Sequence, residues 1–266
     1  MGSIGKQINT YDALIVGAGI NGVAMLHHIR NLGLKVKILE AGGGVGGVWY
    51  WNRYPGARFD SESYSYGYSW SQEVLDEWDW TEHFSPQPQT EKYVNFVVDK
   101  FNMRGDIQCN SRVSKATYRD ADKRWTVETE NGETFDTKFF FTAVGPLNKP
   151  CMPTIDGIER FKGQWTHTAR WPKEGLDYAG KRVAVIGTGA TGVQVISLTI
   201  PRFHPSPSSM IVTLARSLTH ASTDHHRSSQ NRRAALRLPT PSELVCSPPQ
   251  LQDLQGRDGK HPQTLP

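Results

Sequence analysis

An α/β fold follows from three features of this 266-residue sequence. Two short apolar runs, Tyr11–Val16 (YDALIV) and Arg182–Ile186 (RVAVI), each end directly in a glycine-rich turn. The turns are GAGING at Gly17–Gly22 and GTGATG at Gly187–Gly192. After each turn, apolar residues recur at helical spacing. A buried parallel strand, a G-x-G-x-x-G turn and a helix make up a dinucleotide-binding (Rossmann-like) unit. The chain therefore reads as two such units, the second incomplete, followed by a C-terminal tail with no packed structure of its own.

In the first unit the helix covers Val23–Leu32, with Val23, Leu26, Ile29 and Leu32 on one face. Leu34–Leu39 alternates as the next strand and ends at Glu40. Gly42–Gly47 opens an aromatic, polar stretch that runs to about Trp80. Asp79–Phe84 and Pro86–Pro88 read as loop and turn. Glu91–Phe101 has helical spacing in Tyr93, Val94, Val97, Val98 and Phe101. Ala116–Tyr118, Trp125–Thr129 and Thr134–Phe135 read as a meander, with Asn131-Gly132 as its hairpin turn. Phe139–Val144 is a further buried strand. In the second unit the helix starts over Val193–Ile200, and Pro201 stops it by removing a backbone donor and clashing with the preceding turn. Met210–Leu214 is one more strand. The expected domains are 1–150 for the first nucleotide unit, 151–217 for a linker and the partial second unit, and 218–266 for the tail.

Composition narrows the function classes. Lys and Arg number 30 against 26 Asp and Glu, a net charge of +4. The whole excess lies after residue 200, so the body is neutral and no basic face points to nucleic acid. Nine of the 16 prolines also lie there, in a Ser-, Gln- and Arg-rich context that cannot bury enough apolar surface to order itself. The three cysteines, Cys109, Cys151 and Cys246, are too scattered for a disulfide framework or a metal site. No apolar run reaches the ~20 residues of a membrane span, and MGSIGKQINT has no signal-peptide core. A reducing cytoplasmic setting is the expectation. His220, His225 and His226 lack suitably spaced acids or cysteines, and Arg227, Arg232, Arg233 and Arg237 read as solvated.

The glycines of the first turn serve separate needs. Gly17 permits the tight turn, Gly19 lets the backbone approach a pyrophosphate, and Gly22 lets the helix pack closely on the strand. The phosphates then sit at a helix N-terminus, where unpaired N–H groups and the dipole favour anions. Glu40 is placed to accept hydrogen bonds from ribose hydroxyls. A carboxylate there repels a 2′-phosphate, so this turn suits FAD or NAD. A second cluster, Gly46-Gly47-Val48-Trp49 … Tyr54-Pro55-Gly56 … Asp60, joins a glycine loop, three consecutive aromatics and a Pro-Gly turn to Arg58 and Asp60. Taken alone, it could equally be a surface loop with its aromatics as packing.

Between the two turns, Phe161–Pro172 reads FKGQWTHTARWP, the pattern F-x-G-x-x-x-H-x-x-x-W-P. The order turn, fingerprint, turn resembles the Baeyer–Villiger monooxygenases, flavin enzymes that insert oxygen beside a ketone. Their G-G-x-W-x-x-x-x-Y-P-G-x-x-x-D pattern is also matched at every fixed position. The resemblance covers about Tyr11 to Ile196. It implies that Val48, Trp49, Tyr50, Trp51 and Tyr66 line the flavin, that Val113 belongs to the same site, and that Arg58, Phe59 and Asp60 lie where flavin and nicotinamide meet. Phe59 stands where the family usually has a small residue, and its ring could alter nicotinamide access. His167 is implied to couple the motion of the two units. Gly187, Thr188, Gly189, Ala190, Thr191, Gly192 and Val193 form the NADP(H) turn. Arg216-Ser217 stand where the 2′-phosphate anchor is sought, at longer than family spacing.

The same resemblance implies a reaction. NADPH reduces FAD, the reduced flavin captures O₂ as a C4a-peroxide, and attack on a small-molecule ketone gives an ester or lactone. Asp60 is the implied catalytic acid that tunes an arginine, and that arginine has no match in this chain. The resemblance breaks sharply after Ile196, so the expectation is a truncated enzyme with impaired turnover. Two alternatives stay open, a non-catalytic flavin-binding fragment and an N-hydroxylating flavin monooxygenase. The Trp171-Pro172 ending argues against the second.

Overall fold

The computed structural model describes residues 8–147, 149–179, 181–199 and 210–214. Chain contacts divide the protein at Ala221/Ser222. The tail expected over 218–266 lies outside the described residues, as do Arg216 and Ser217.

The first nucleotide unit is a six-stranded sheet of order β3-β2-β1-β6-β5-β4. Strand β1 (Ile8–Val16) lies parallel to β2 (Val36–Leu39) on one side and to β6 (Thr134–Thr142) on the other. Strand β3 (Ile107–Gln108) extends the parallel half. The antiparallel half is β5 (Arg124–Thr129) and β4 (Val113–Arg119). Period-two alternation assigns the two faces of β1. Ala13 and Ile15 point to one face, where α1 (Ile20–Asn31) covers them with Val23, Leu26 and Ile29. On the same face α5 (Gln87–Lys100) adds Tyr93, Val94, Val97 and Val98. Leu14 points to the other face and packs with Leu39, Val127 and Phe135.

Three sequence expectations change here. Thr134–Phe135 and Phe139–Val144 are a single strand, β6, parallel to β1 and antiparallel to β5. The polar residues that seemed to separate them are satisfied in place. Asp136 pairs with Arg119 at 2.5 Å and with Arg124, and the buried Thr137 hydroxyl donates to the Asp12 carbonyl at 3.1 Å. Pro86–Pro88 starts a helix instead of forming a turn. Pro86 is the N-cap of α5, and Pro88 falls in the first turn, where its missing N–H has no intrahelical partner to lose. The stretch read as aromatic and polar contains α2 (Val48–Trp51), α3 (Ser63–Tyr66) and α4 (Gln72–Glu77). These helices are too short to carry a hydrophobic period, so periodicity could not reveal them. The hairpin at Asn131-Gly132 forms as read, with Gly132 at φ 82°.

The second sheet has three parallel strands of order β7-β9-β8: β7 (Gln164–His167), β9 (Met210–Leu214) and β8 (Arg182–Ile186). The fingerprint segment thus supplies an edge strand to this sheet. Helix α6 (Ala190–Thr199) starts inside the glycine turn and ends two residues before Pro201.

Candidate dinucleotide sites and their junction

The first turn is built by backbone close approach. Gly17 has φ 104°, and a Cβ there would meet the Ala143 carbonyl at 2.6 Å. A Cβ on Gly22 would lie 1.9 Å from the Gly17 oxygen, so α1 packs onto the turn only because residue 22 has no side chain. Gly19 is the N-cap of α1. No side chain caps this helix and no acid lies in its first turn. First-turn amides have no intrahelical acceptor, so this N-terminus is chemically suited to a phosphate. The Gly42–Gly47 loop closes on the same point, since a Cβ on Gly47 (φ 57°) would lie 2.8 Å from the Gly19 Cα.

Glu40 is only 4% exposed and holds the two loops together. One carboxylate oxygen accepts the Ala18 N–H at 2.7 Å and the other accepts the Gly42 N–H at 2.6 Å. Each oxygen keeps further acceptor capacity, so the acid can still receive ribose hydroxyls. This donor and acceptor set fits the adenosine-diphosphate half of a dinucleotide.

The aromatics of α2 divide into two groups. Buried Trp49 donates its indole N–H to the Tyr66 hydroxyl at 2.8 Å. Phe59, 5% exposed, stacks on Tyr66 at 4.1 Å between ring centres and meets Trp49 and Trp80 edge-on. The Phe59 ring is thus engaged in packing. Burial raises the Tyr66 phenol above its usual range, against a smaller opposing effect from the Trp49 hydrogen bond. Tyr50 lies over the glycine loop, its hydroxyl accepting the Gly43 N–H at 3.2 Å. The Arg170 guanidinium sits 5.7 Å from the Trp51 ring centre and the Lys173 ammonium the same distance from that of Tyr50, which brings the fingerprint segment against α2. Val113 opens β4 and packs with the Leu14 cluster.

His167 ends β7, 5% exposed. Its Nδ1 accepts the Ala169 N–H at 3.0 Å and caps the turn Thr168–Arg170, which delivers Trp171 to the junction. Trp171, 7% exposed, packs with Tyr54, Ala57 and Val195. Tyr54 and Ala57 precede Arg58 in the first unit, and Val195 belongs to α6 in the second.

The second turn repeats the first. Gly187 has φ 123°, and α6 carries no acid in its first turn. Thr188 is exposed, Gly192 is buried, and Val193 points outward at 59% exposure.

Arg58 and Asp60 reach α6 by a route that motif reading missed. The Arg58 guanidinium turns away to Glu82 at 3.1 Å, while its backbone N–H and C=O both meet the Gln194 carboxamide. Gln194 also bonds Tyr54 Oη at 2.8 Å and Asp60 Oδ1 at 3.1 Å. The sequence held only a weak signal for Gln194, a carboxamide two residues past a glycine turn in a mostly apolar helix.

The sequence profile of the family described as Pyridine nucleotide-disulphide oxidoreductase matches residues 14–199. Acetone monooxygenase (methyl acetate-forming) of Gordonia sp. (strain TY-5) is 46% identical over 187 residues, 70% of this chain and 35% of that protein. This chain belongs to that family, and the relatives it resembles include a protein named as a Baeyer-Villiger monooxygenase. Phenazine N-monooxygenase PhzNO1 of Lysobacter antibioticus is 45% identical over 70% of this chain and 34% of its own length. The solved structure titled oxidized steroid monooxygenase bound to NADP superposes with a TM-score of 0.71 at 45% identity, covering 77% of this chain and 38% of that one. The chain thus spans about a third of the length of the curated relatives it matches.

Among the described residues, no helix is long and apolar enough to cross a membrane. Among the described residues, no group of three His, Cys, Asp or Glu residues is arranged to hold a metal.

Proposed function

We propose that this chain binds FAD at the first turn and NADPH at the second, and serves a cytoplasmic Baeyer–Villiger oxidation in which one oxygen of O₂ enters beside a ketone carbonyl to give an ester or lactone. The observation that carries the reading is Trp171, buried between the two nucleotide units at the end of F-x-G-x-x-x-H-x-x-x-W-P. When bound, FAD supplies hydride acceptance from NADPH and activation of O₂.

The chain's own residues bind, orient and exclude water. The α1 N-terminus receives the FAD pyrophosphate. Glu40 takes the ribose hydroxyls, and its charge turns away a 2′-phosphate. Val48–Trp51, Phe59 and Tyr66 wall the flavin and lower the local dielectric, which strengthens charge stabilisation there. The turn Gly187–Val193 receives the NADPH pyrophosphate. We assign its 2′-phosphate to Arg216 and Ser217. His167 and Trp171 couple the two units, and Asp60 provides the negative charge where they meet. The phenazine enzyme's name supports a second reading, oxygen transfer to nitrogen.

The test is a visible spectrum of the purified chain, followed anaerobically as NADPH is added, and then turnover of ketones and of N-heterocycles in air. A flavin band that bleaches with NADPH supports both nucleotide assignments. A persistent band overturns the second, and no band overturns the first. Ester from a ketone supports oxygen insertion at carbon, whereas N-oxide alone replaces it with the second reading.

A further inference from the structure

Gln194 is half-buried on α6, two residues beyond the second glycine turn. Its carboxamide has two donors and two acceptor positions, and all four are engaged. Oε1 accepts the Tyr54 hydroxyl at 2.8 Å and the Arg58 N–H at 3.4 Å. Nε2 donates to the Arg58 carbonyl at 3.0 Å and to Asp60 Oδ1 at 3.1 Å. This network fixes which end of the amide is oxygen. Every partner lies in the first nucleotide unit, 134 to 140 positions away. Beneath it, Tyr54, Ala57, Trp171 and Val195 form an apolar floor. Glu would present no donor to the Arg58 carbonyl and the Asp60 carboxylate, Met would present none at all, and Asn is one methylene short.

We propose that Gln194 is a positioning residue, the strut through which occupancy of the second nucleotide turn is passed to the Tyr54–Asp60 loop of the first unit. The transmission rests on the NADPH reading above. The turn and α6 are hydrogen-bonded as one body, Gly189 oxygen accepting the Gly192 N–H at 2.9 Å and the Val193 N–H at 3.2 Å. A phosphate held on the first-turn amides therefore acts on the whole helix. The rigid carboxamide carries that restraint to the Arg58 backbone and Asp60, whereas the apolar floor can slide.

Hydrogen exchange of the whole chain tests this with and without NADP⁺, in wild type and in Gln194→Met, which keeps the volume and removes every bond. Without nucleotide, the variant should exchange the peptide 56–60 on the order of tenfold faster, with β1 and β6 unchanged. Gln194→Glu should do the same, and adding Asp60→Asn should restore part of the protection by returning a donor to that contact. Equal exchange at 56–60 in wild type and Gln194→Met overturns the strut. With NADP⁺, wild type should gain protection at both 187–199 and 56–60, and Gln194→Met at 187–199 alone. Equal gain at 56–60 in both overturns the transmission. If NADP⁺ protects nothing in wild type, the nucleotide reading of the second turn fails along with the transmission, and the nucleotide-free comparison still decides the strut.

Discussion

Glu40 and Ala18 are joined by a 2.7 Å hydrogen bond from the Ala18 amide to a carboxylate that is 4% exposed. The acid's other oxygen takes the Gly42 amide at 2.6 Å. A single side chain at the end of β2 therefore sets the spacing of both glycine loops before any ribose arrives.

Glu40→Gln tests that dual role. The new NH₂ group must face one of two amide donors, leaving a buried donor unpaired. The cost is about 1–3 kcal/mol, measured by urea unfolding, and FAD affinity should fall roughly tenfold or more. Unchanged stability together with unchanged flavin content would remove Glu40 from the site.

Two glycines of one turn should respond differently. Gly22→Ala puts a Cβ 1.9 Å from the Gly17 oxygen and should cost about 3 kcal/mol or more. Gly19→Ala brings its Cβ no nearer than 3.5 Å to the Gly47 Cα, an ordinary contact, so the fold should survive. Its effect should appear in flavin binding, because the methyl group stands at the helix N-terminus. Thermal unfolding and flavin absorbance of the two variants separate these cases.

Trp171→Ala empties the centre of the cluster formed with Tyr54, Ala57 and Val195. Large-to-small changes at buried aromatics cost about 3–5 kcal/mol, and Trp171→Phe should cost less. Intrinsic fluorescence during chemical unfolding reads the difference. A cost below about 1 kcal/mol for the alanine variant would mean that the cluster does not hold the units together.

Alkaline pH should destabilise the fold through its buried phenols. Burial is the main cause that lifts Tyr68 far above the usual value of 10.0, followed by the charges of Tyr93 and Tyr66. Burial likewise raises Tyr54 and Tyr93, against opposing hydrogen bonds from Thr191 and Tyr68. Below pH 10 both folded and unfolded chains keep these protons, so the contribution is flat. Above it the unfolded chain loses protons that the folded chain retains, and stability falls as pH rises. Tyr68→Phe should make that fall shallower. It should also lose about 0.5–1.5 kcal/mol at neutral pH, because the phenol no longer donates to the Ile20 carbonyl at 2.6 Å. Unfolding midpoints measured across the alkaline range, with phenolate absorbance, check the slope.

Local chemistry made much of this readable in advance. The strands before both turns, helices α1 and α5, the Asn131-Gly132 hairpin and β9 follow from hydrophobic period and turn residues, which act within a few positions. Proline misled at Pro86–Pro88 because the same residue that breaks a helix interior is tolerated at its start. Strand β6 reads as two strands because polar Asp136, Thr137 and Lys138 interrupt the apolar runs, until Arg119 and Arg124 are seen beside Asp136.

The sequence alone determined the two glycine turns, the acid that follows the first and the fingerprint between them. Each is a matter of backbone dihedral, local donor supply or motif order, and none needs a distant partner. Tertiary structure alone decided that Glu40 spends both oxygens on loop amides, that Phe59 stacks on Tyr66, and that β7 joins the second sheet through β9. It also decided that Gln194 reads Tyr54, Arg58 and Asp60 at once. Such contacts join residues that only the folded chain brings together, and a carboxamide gives no sign in sequence of which four groups will meet it.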